Sequence, residues 1–128
     1  MDYKTILRKI KNRIGLEDNQ QAEQLVRAVL KTLGERIGKT ERENLGAQLP
    51  KGLKETLVDE PERRQQEWIS LEEFYTRISE RSGLSFELAS QVTGEIMEVL
   101  REATSEGEMD DLKKQLPVEY REIFNMEG

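Results

Sequence analysis

The stretch Leu45-Gly46-Ala47-Gln48-Leu49-Pro50 is followed 67 residues later by Leu112-Lys113-Lys114-Gln115-Leu116-Pro117. When residues 18–57 are aligned with residues 85–124 in this register, ten of the forty pairs are identical. About three identities would be expected by chance, so the match predicts an internal duplication. The identical pairs outside the two quoted stretches are Ala22/Ala89, Gln24/Gln91, Leu33/Leu100, Glu35/Glu102, Glu41/Glu108 and Glu55/Glu122.

The duplication predicts how the whole chain is organised. With one residue added, the register continues toward the N-terminus and pairs Gly15 with Gly83. A length of 128 residues is typical of one domain. We therefore expect a single domain spanning residues 1–128. Its parts are repeat one at residues 1–58, a linker at residues 59–69 and repeat two at residues 70–125.

Apolar residues recur at helical spacing in both repeats. Two long amphipathic helices are predicted over residues 19–37 and 86–104, with shorter helices before and after each. Their predicted apolar stripes are Ala22, Leu25, Val26, Val29, Leu30, Leu33 and Ile37, and Leu88, Ala89, Val92, Ile96, Val99, Leu100 and Ala103. The fold class is therefore all-α, a bundle of about eight helices formed by two four-helix units, with the long helices at its centre.

The ends of the predicted helices carry capping residues. The predicted N-caps are Asp2, Asp18, Ser70 and Ser85, and the predicted C-terminal glycines are Gly15 and Gly83. Thr40 with Glu43 has the spacing of a capping box and predicts the start of a short helix, whose counterpart follows Gly107. Each Gln-Leu-Pro tripeptide should end a short helix and turn the chain into a last one, because proline suits a first helical position.

Composition excludes several classes of chemistry. The chain has no cysteine and no histidine, so disulfides, thiolate nucleophiles and histidine-based catalysis or zinc binding are ruled out. We predict no catalytic residue, no cofactor and no metal ligand. The carboxylates of Glu106, Glu108, Asp110 and Asp111 could offer oxygen ligands, but they lack the spacing of a calcium loop and are favoured near a helix start in any case.

The repeat with its Gln-Leu-Pro signature resembles the bacterial family called domain of unknown function 2267. The resemblance covers both repeats, and its most specific parts are Leu45 to Pro50, Leu112 to Phe124, and Trp68 with Phe74. It implies an all-α duplicated fold. It implies no established activity, ligand or functional residue.

Charge is unevenly distributed along the chain. Residues 1–60 hold twelve Lys and Arg against ten Asp and Glu, whereas residues 61–128 hold eight against sixteen, and the net charge is −6. A basic face on the first helix could contact an acidic partner or be an ordinary solvated surface; its candidate residues are Lys4, Arg8, Lys9 and Lys11, together with the nearby Arg13. A net acidic chain repels phosphate backbones, which argues against nucleic acid as the main partner.

Trp68 is the only tryptophan and lies at the end of the linker. Two interpretations are open. Packing between the repeats is the favoured one, since a lean core gains from a large apolar ring, whereas an exposed indole would anchor a partner. With Lys4, Arg8, Lys9 and Lys11, Trp68 completes the candidate interaction surface.

The leading functional hypothesis is a non-enzymatic protein–protein interaction or scaffolding module with an unknown protein partner or self-association. A second hypothesis is a small-molecule binder or enzyme with carboxylates, Tyr75 or Tyr120 in a cleft between the repeats. A nucleic-acid-associated regulator is the third. No segment has the apolar length of a signal peptide or a membrane span, and cysteine is absent, so a cytoplasmic location is expected.

Overall fold

A computed structural model describes residues 1–58 and 65–124. In these residues the chain forms only helices: seven α-helices and one 3-10 helix, in agreement with the predicted all-α bundle of about eight helices. None of these helices is long and apolar enough to cross a membrane. The elements are α1 (Tyr3–Ile14), α2 (Asn19–Arg36), α3 (Lys39–Gly46), α4 (Lys51–Val58), α5 (Leu71–Ser82), α6 (Phe86–Ala103), α7 (Glu106–Gln115) and the 3-10 helix (Val118–Phe124).

The predicted caps of the four longer helices are confirmed. The side chains of Asp2, Asp18, Ser70 and Ser85 each accept a hydrogen bond from a backbone N–H in the first turn of α1, α2, α5 and α6, respectively. Gly15 and Gly83 end α1 and α5 with φ angles of 85° and 80°, a left-handed conformation that glycine adopts without steric cost.

The predicted starts of the two short helices are wrong. The N-cap of α3 is Gly38, two residues before Thr40, and no side chain caps it. The helix α7 begins at Glu106, before Gly107, because the hydroxyl of Ser105 accepts the N–H of Glu108 and satisfies its first turn. A capping side chain directly before the first turn therefore decided the start of α7.

The core is one continuous apolar cluster that draws residues from both halves of the chain. All seven residues of the first predicted stripe, from Ala22 to Ile37, are buried. The second stripe is buried from Ala89 to Leu100, but Leu88 is 49% exposed, so its assignment to the core is wrong. Leu88 lies in the first turn of α6, where its backbone N–H bonds to the Ser85 cap and its side chain faces solvent.

Each half packs its first helix on the long helix of the other half. The helix α1 contacts α2 and α6, while α5 contacts α6 and α2. The long helices α2 and α6 make only a small contact with each other, and α3 contacts α7. These contacts of the two halves are therefore arranged in equivalent pairs, although the duplication itself stays a prediction from the sequence.

The Gln-Leu-Pro tripeptides turn the chain as predicted, but they lead into different helices. Pro50 precedes the α-helix α4, whereas Pro117 precedes a 3-10 helix. Gln48 also reaches across to the other half, where its side-chain oxygen accepts the backbone N–H of Ser105 at 2.7 Å. Gln48 thereby helps to hold the start of α7 against the first half.

Ion pairs join the halves at positions that are equivalent in the predicted register. Glu35 of α2 accepts hydrogen bonds from Arg77 and Arg81 of α5, at 3.0 Å and 2.8 Å. Glu102 of α6, its counterpart, pairs with Lys9 of α1 at 2.9 Å. Burial opposes ionisation of Glu35, but the hydrogen bonds from Arg81 and Arg77 outweigh it and lower the pKa of that carboxyl.

A buried carboxyl pair lies where α3 meets α7. Glu41 and Glu108 are 4% and 6% exposed, and one side-chain oxygen of each has no hydrogen-bond partner among the described residues. Burial, a hydrogen bond with Glu41 and the negative charges of Glu41 and Asp111 raise the pKa of the Glu108 carboxyl to about 8. A proton held by Glu108 therefore keeps this contact between the halves free of repulsion at neutral pH.

Residues 1–60 expressed alone should not fold cooperatively. Without α5 and α6, the apolar faces of α2 and α1 lose their partners, and a fragment of this size has a marginal core. Thermal unfolding followed by circular dichroism should show a broad, non-sigmoidal loss of signal. A sharp transition like that of the full chain would contradict the dependence of one half on the other.

The substitution Glu108→Gln should flatten the pH dependence of stability. The pKa of Glu108 is higher in the folded chain than its ordinary value of 4.5. The folded state therefore binds a proton that the unfolded state has released, and the free energy of unfolding falls as the pH rises toward 8. Glu108 contributes at most about 1.4 kcal/mol per pH unit to the slope of the wild-type free energy of unfolding against pH. Glutamine donates to Glu41 at every pH, so Glu108→Gln should lack this slope.

Urea denaturation at several pH values between about 5 and 8 measures that slope. The control is Glu106→Gln, because Glu106 lies on the same helix and is exposed. This control should keep the wild-type pH dependence. Equal slopes for the wild-type chain and Glu108→Gln would show that Glu108 does not hold a proton in the folded state.

Candidate functional site

The basic residues predicted on α1 are not all available to contact a partner. Lys4 and Arg8 are exposed and Lys11 is partly buried, whereas Lys9 is paired with Glu102 of α6. Lys4, Arg8 and Lys11 are spaced by four and three residues, which places them on one face of the helix. They keep a basic strip on α1, and Lys9 is part of the contact between the halves.

Trp68 is not packed between the halves. Its side chain is 77% exposed, so the favoured interpretation from the sequence is wrong. The space at this junction is filled instead by Tyr120, which is fully buried and packs edge-on against the Phe74 ring with centroids 5.3 Å apart. The structure agrees with the second interpretation, in which the indole is exposed.

The backbone on both sides of Trp68 is fixed by hydrogen bonds. The N–H of Glu67 donates to the carbonyl of Glu35 at 2.9 Å. The Tyr120 hydroxyl lies close to the carbonyls of Ile69 and Ser70, at 2.8 Å and 3.1 Å, and can donate its proton to them. An exposed indole on an anchored backbone is pre-organised, so a partner that buried it would order little additional chain.

Arg36, at the last position of α2, lies between two aromatic rings. Its guanidinium carbon is 4.8 Å from the Trp68 ring centroid and 5.3 Å from that of Tyr120. These distances are within the range of cation–π attraction. We call these three residues, Trp68, Arg36 and Tyr120, the Trp68 site.

The guanidinium of Arg36 is buried without full compensation. The residue is 1% exposed, and its Nε and Nη1 atoms have no hydrogen-bond partner among the described residues. Burying a charge costs several kcal/mol, and a desolvated cation–π contact returns about 2 kcal/mol of this without satisfying the N–H groups. In the predicted register the counterpart of Arg36 is Ala103, so this end of a long helix does not require a charged residue.

The structure does not bring the basic strip and Trp68 together. Trp68 lies over the C-terminal end of α2, beside the 3-10 helix that carries Tyr120. The basic strip is on α1, which packs against α2 and α6 and whose first residue, Tyr3, bonds to Glu23 and Arg27 in the earlier turns of α2. The residues predicted as one interaction surface therefore belong to two regions.

A cleft of about 770 Å³ lies between α2, α4 and the end of α5. Three cations line it, Arg27, Lys31 and Arg81, but two of them already have acidic partners. Arg27 pairs with Glu23, and Arg81 pairs with Glu35. Lys31 is exposed and forms no ion pair within the described part of the chain. The C-terminal end of α5 adds partial negative charge, so the cleft has little net attraction for an anion.

The tyrosines of the small-molecule hypothesis do not line this cleft. The Tyr75 hydroxyl donates to Glu122 at 2.8 Å, and burial raises the pKa of that hydroxyl above its ordinary value. Burial likewise raises the pKa of the Tyr120 hydroxyl. Both tyrosines are thus engaged inside the fold, and the cleft is lined by other side chains.

The acidic stretch that begins α7 does not converge on one point. Glu108 turns inward toward Glu41, whereas Glu106, Asp110 and Asp111 are exposed. Among residues 1–58 and 65–124, no group of three or more carboxylates is arranged to hold a metal ion. The feature that stands out chemically is therefore the Trp68 site.

Arg36→Met should leave the chain as stable as the wild type or more stable. Methionine matches the apolar stem of arginine and removes a buried charge whose Nε and Nη1 atoms lack acceptors. The control is Arg42→Met. Arg42 is also buried, but its Nη1 atom donates to the carbonyls of Gly34 and Ile37 at 3.0 Å and 2.7 Å. This control should lose about 1–3 kcal/mol.

Chemical denaturation of both variants at one pH provides the comparison. An Arg36→Met chain destabilised as strongly as Arg42→Met would mean that the Arg36 charge is well compensated in the fold.

Comparison with known proteins identifies a family and adds no activity. No curated protein matches the chain. A family described as "Uncharacterized conserved protein (DUF2267)" matches residues 3–123, which is most of the chain and includes both Gln-Leu-Pro tripeptides. The chain belongs to this family.

Proposed function

We propose that the chain is a protein–protein interaction module whose partner buries the Trp68 indole. The observation that carries this proposal is an indole that is 77% exposed on a backbone fixed at Glu67, Ile69 and Ser70. Tryptophan is among the residues that contribute most to binding when a partner buries them. A fold that fills its own junction with Tyr120 has no structural need for a second large ring there.

The composition supports the same proposal. The chain lacks histidine and cysteine, and the described tyrosines that were considered for catalysis are engaged in internal hydrogen bonds. A role in binding or scaffolding requires none of these groups. The absence of cysteine also fits a reducing compartment, and we propose that the chain binds its partner in the cytoplasm.

The basic strip of Lys4, Arg8 and Lys11 is a second surface in this proposal. Its charges are exposed or partly exposed on one face of α1, away from the contacts of Trp68. Lys9 does not contribute to it directly, because its ammonium is held by Glu102. Such a strip would speed the approach of an acidic partner and would be screened by salt, while Trp68 would supply the contact that persists.

The substitution Trp68→Ala should abolish partner binding without unfolding the chain. Immobilised full-length chain is incubated with a lysate of the source cell, and the retained proteins are compared among wild type, Trp68→Ala and Leu88→Ala. Leu88 is the matched control, because it is an exposed apolar residue at the start of α6. Proteins retained by wild type and Leu88→Ala should be absent from Trp68→Ala.

A retained protein is then purified and titrated into the wild-type chain. Trp68 is the only tryptophan, so with a partner free of tryptophan the fluorescence reports this residue directly. Its emission should start red-shifted and move to shorter wavelength as the indole leaves water. Retention that is equal for all three chains would refute the proposal. Retention of nothing but further copies of the chain would also refute it, because it would make Trp68 a self-association contact.

A further inference from the structure

The geometry of Arg36 points to a carboxylate-binding site beneath Trp68, and we propose that the partner inserts an aspartate or glutamate side chain there. This inference rests on the proposed function, since it specifies what the partner presents beside the pocket for the indole. It starts from the guanidinium of Arg36, which is 1% exposed and has two nitrogen atoms, Nε and Nη1, without an acceptor in the described residues.

Trp68 is placed so that it could act as the cover of this site. Its ring lies 4.8 Å from the guanidinium, yet most of the indole is in water. Rotating the side chain about its first torsion would uncover Arg36 while the backbone stays held at Glu67 and Ile69. Exposed side chains change rotamer within nanoseconds, so the cover would not slow binding.

A single carboxylate fits the charge of this site better than a phosphate does. Within residues 1–58 and 65–124, Arg36 is the only cation in contact with the Trp68 and Tyr120 rings. Glu119, next to Tyr120, adds a negative charge on this side, whereas the carboxylate of Glu67, next to Trp68, is already paired with Arg77 at 3.0 Å. One negative charge would pair with one guanidinium through charge-assisted hydrogen bonds, whereas a dianionic phosphate would leave a charge uncompensated beside Glu119.

Tyr120 would hold the guanidinium in place when the cover opens. Its ring is the second aromatic contact of Arg36, and its hydroxyl is anchored by the carbonyls of Ile69 and Ser70. The guanidinium would therefore meet a ligand in a fixed orientation. The partner would contribute two groups, a carboxylate for Arg36 and an apolar pocket for the displaced indole.

The test uses the full-length chain and two short peptides. One is acetyl-Leu-Glu-Leu-amide, which has a single carboxylate, and the other replaces its glutamate with glutamine. Binding is followed by Trp68 emission and by the NMR signal of the Arg36 Nε–H group. The glutamate peptide should bind about tenfold more tightly than the glutamine peptide, because only it forms the charge-assisted bond.

Three further measurements decide between explanations. Arg36→Met should remove the preference for the glutamate peptide. Trp68→Ala, read by NMR alone, should keep that preference, because the cover is absent while Arg36 remains. Inorganic phosphate should not compete with the glutamate peptide at equal ionic strength. Equal binding of the two peptides to the wild-type chain would overturn the inference without any variant, as would a preference that persists in Arg36→Met or effective competition by phosphate.

The outcomes separate this inference from the proposed function. If Trp68→Ala retains partner proteins as well as wild type does, the interaction role of Trp68 fails whatever the peptides show. If Trp68→Ala loses those proteins but the two peptides bind wild type equally, the interaction role stands and the carboxylate site is wrong.

Discussion

The packing of each short first helix on the long helix of the opposite half is the constraint on which the rest of the structure depends. Because α1 lies on α6 and α5 lies on α2, neither half encloses its own apolar residues. The core is correspondingly one cluster rather than two. This arrangement lets a chain with only 35% hydrophobic residues bury a core of useful size, since both halves contribute to it.

Several of the polar side chains that match between the halves take part in this packing. Glu35 and Glu102 each form an ion pair with the first helix of the other half, and Glu41 meets Glu108 where α3 contacts α7. Gln48 joins the start of α7. Exposed pairs such as Lys9 with Glu102 contribute little to stability, so their value lies more in fixing how the halves are oriented. Apolar stripes alone would let packed helices slide past one another, whereas directed hydrogen bonds fix their relative positions.

Much of the fold could be predicted from the sequence, because helical periodicity and capping are local properties. The long helices were placed within one residue of their observed ends, and four caps are as expected. The Trp68 site was only partly predictable. Its position depends on Tyr120, about fifty residues later, which fills the junction that Trp68 was expected to fill. A local signal for Arg36 did exist, since it follows Val29 by seven residues and Leu33 by three, on the buried face of α2.

The crossed packing also affects when the chain can fold during synthesis. The contacts of α1 with α6 join residues as far apart as Lys9 and Glu102, which are separated by 93 positions. At ribosomal rates of about 5–20 residues per second, α1 leaves the ribosome roughly 5–19 s before its partner helix has been made. During that interval its apolar face has only α2 to cover it. A nascent chain of this design therefore completes its core only after α6 has been made, and until then the apolar face of α1 that α6 covers stays exposed to water.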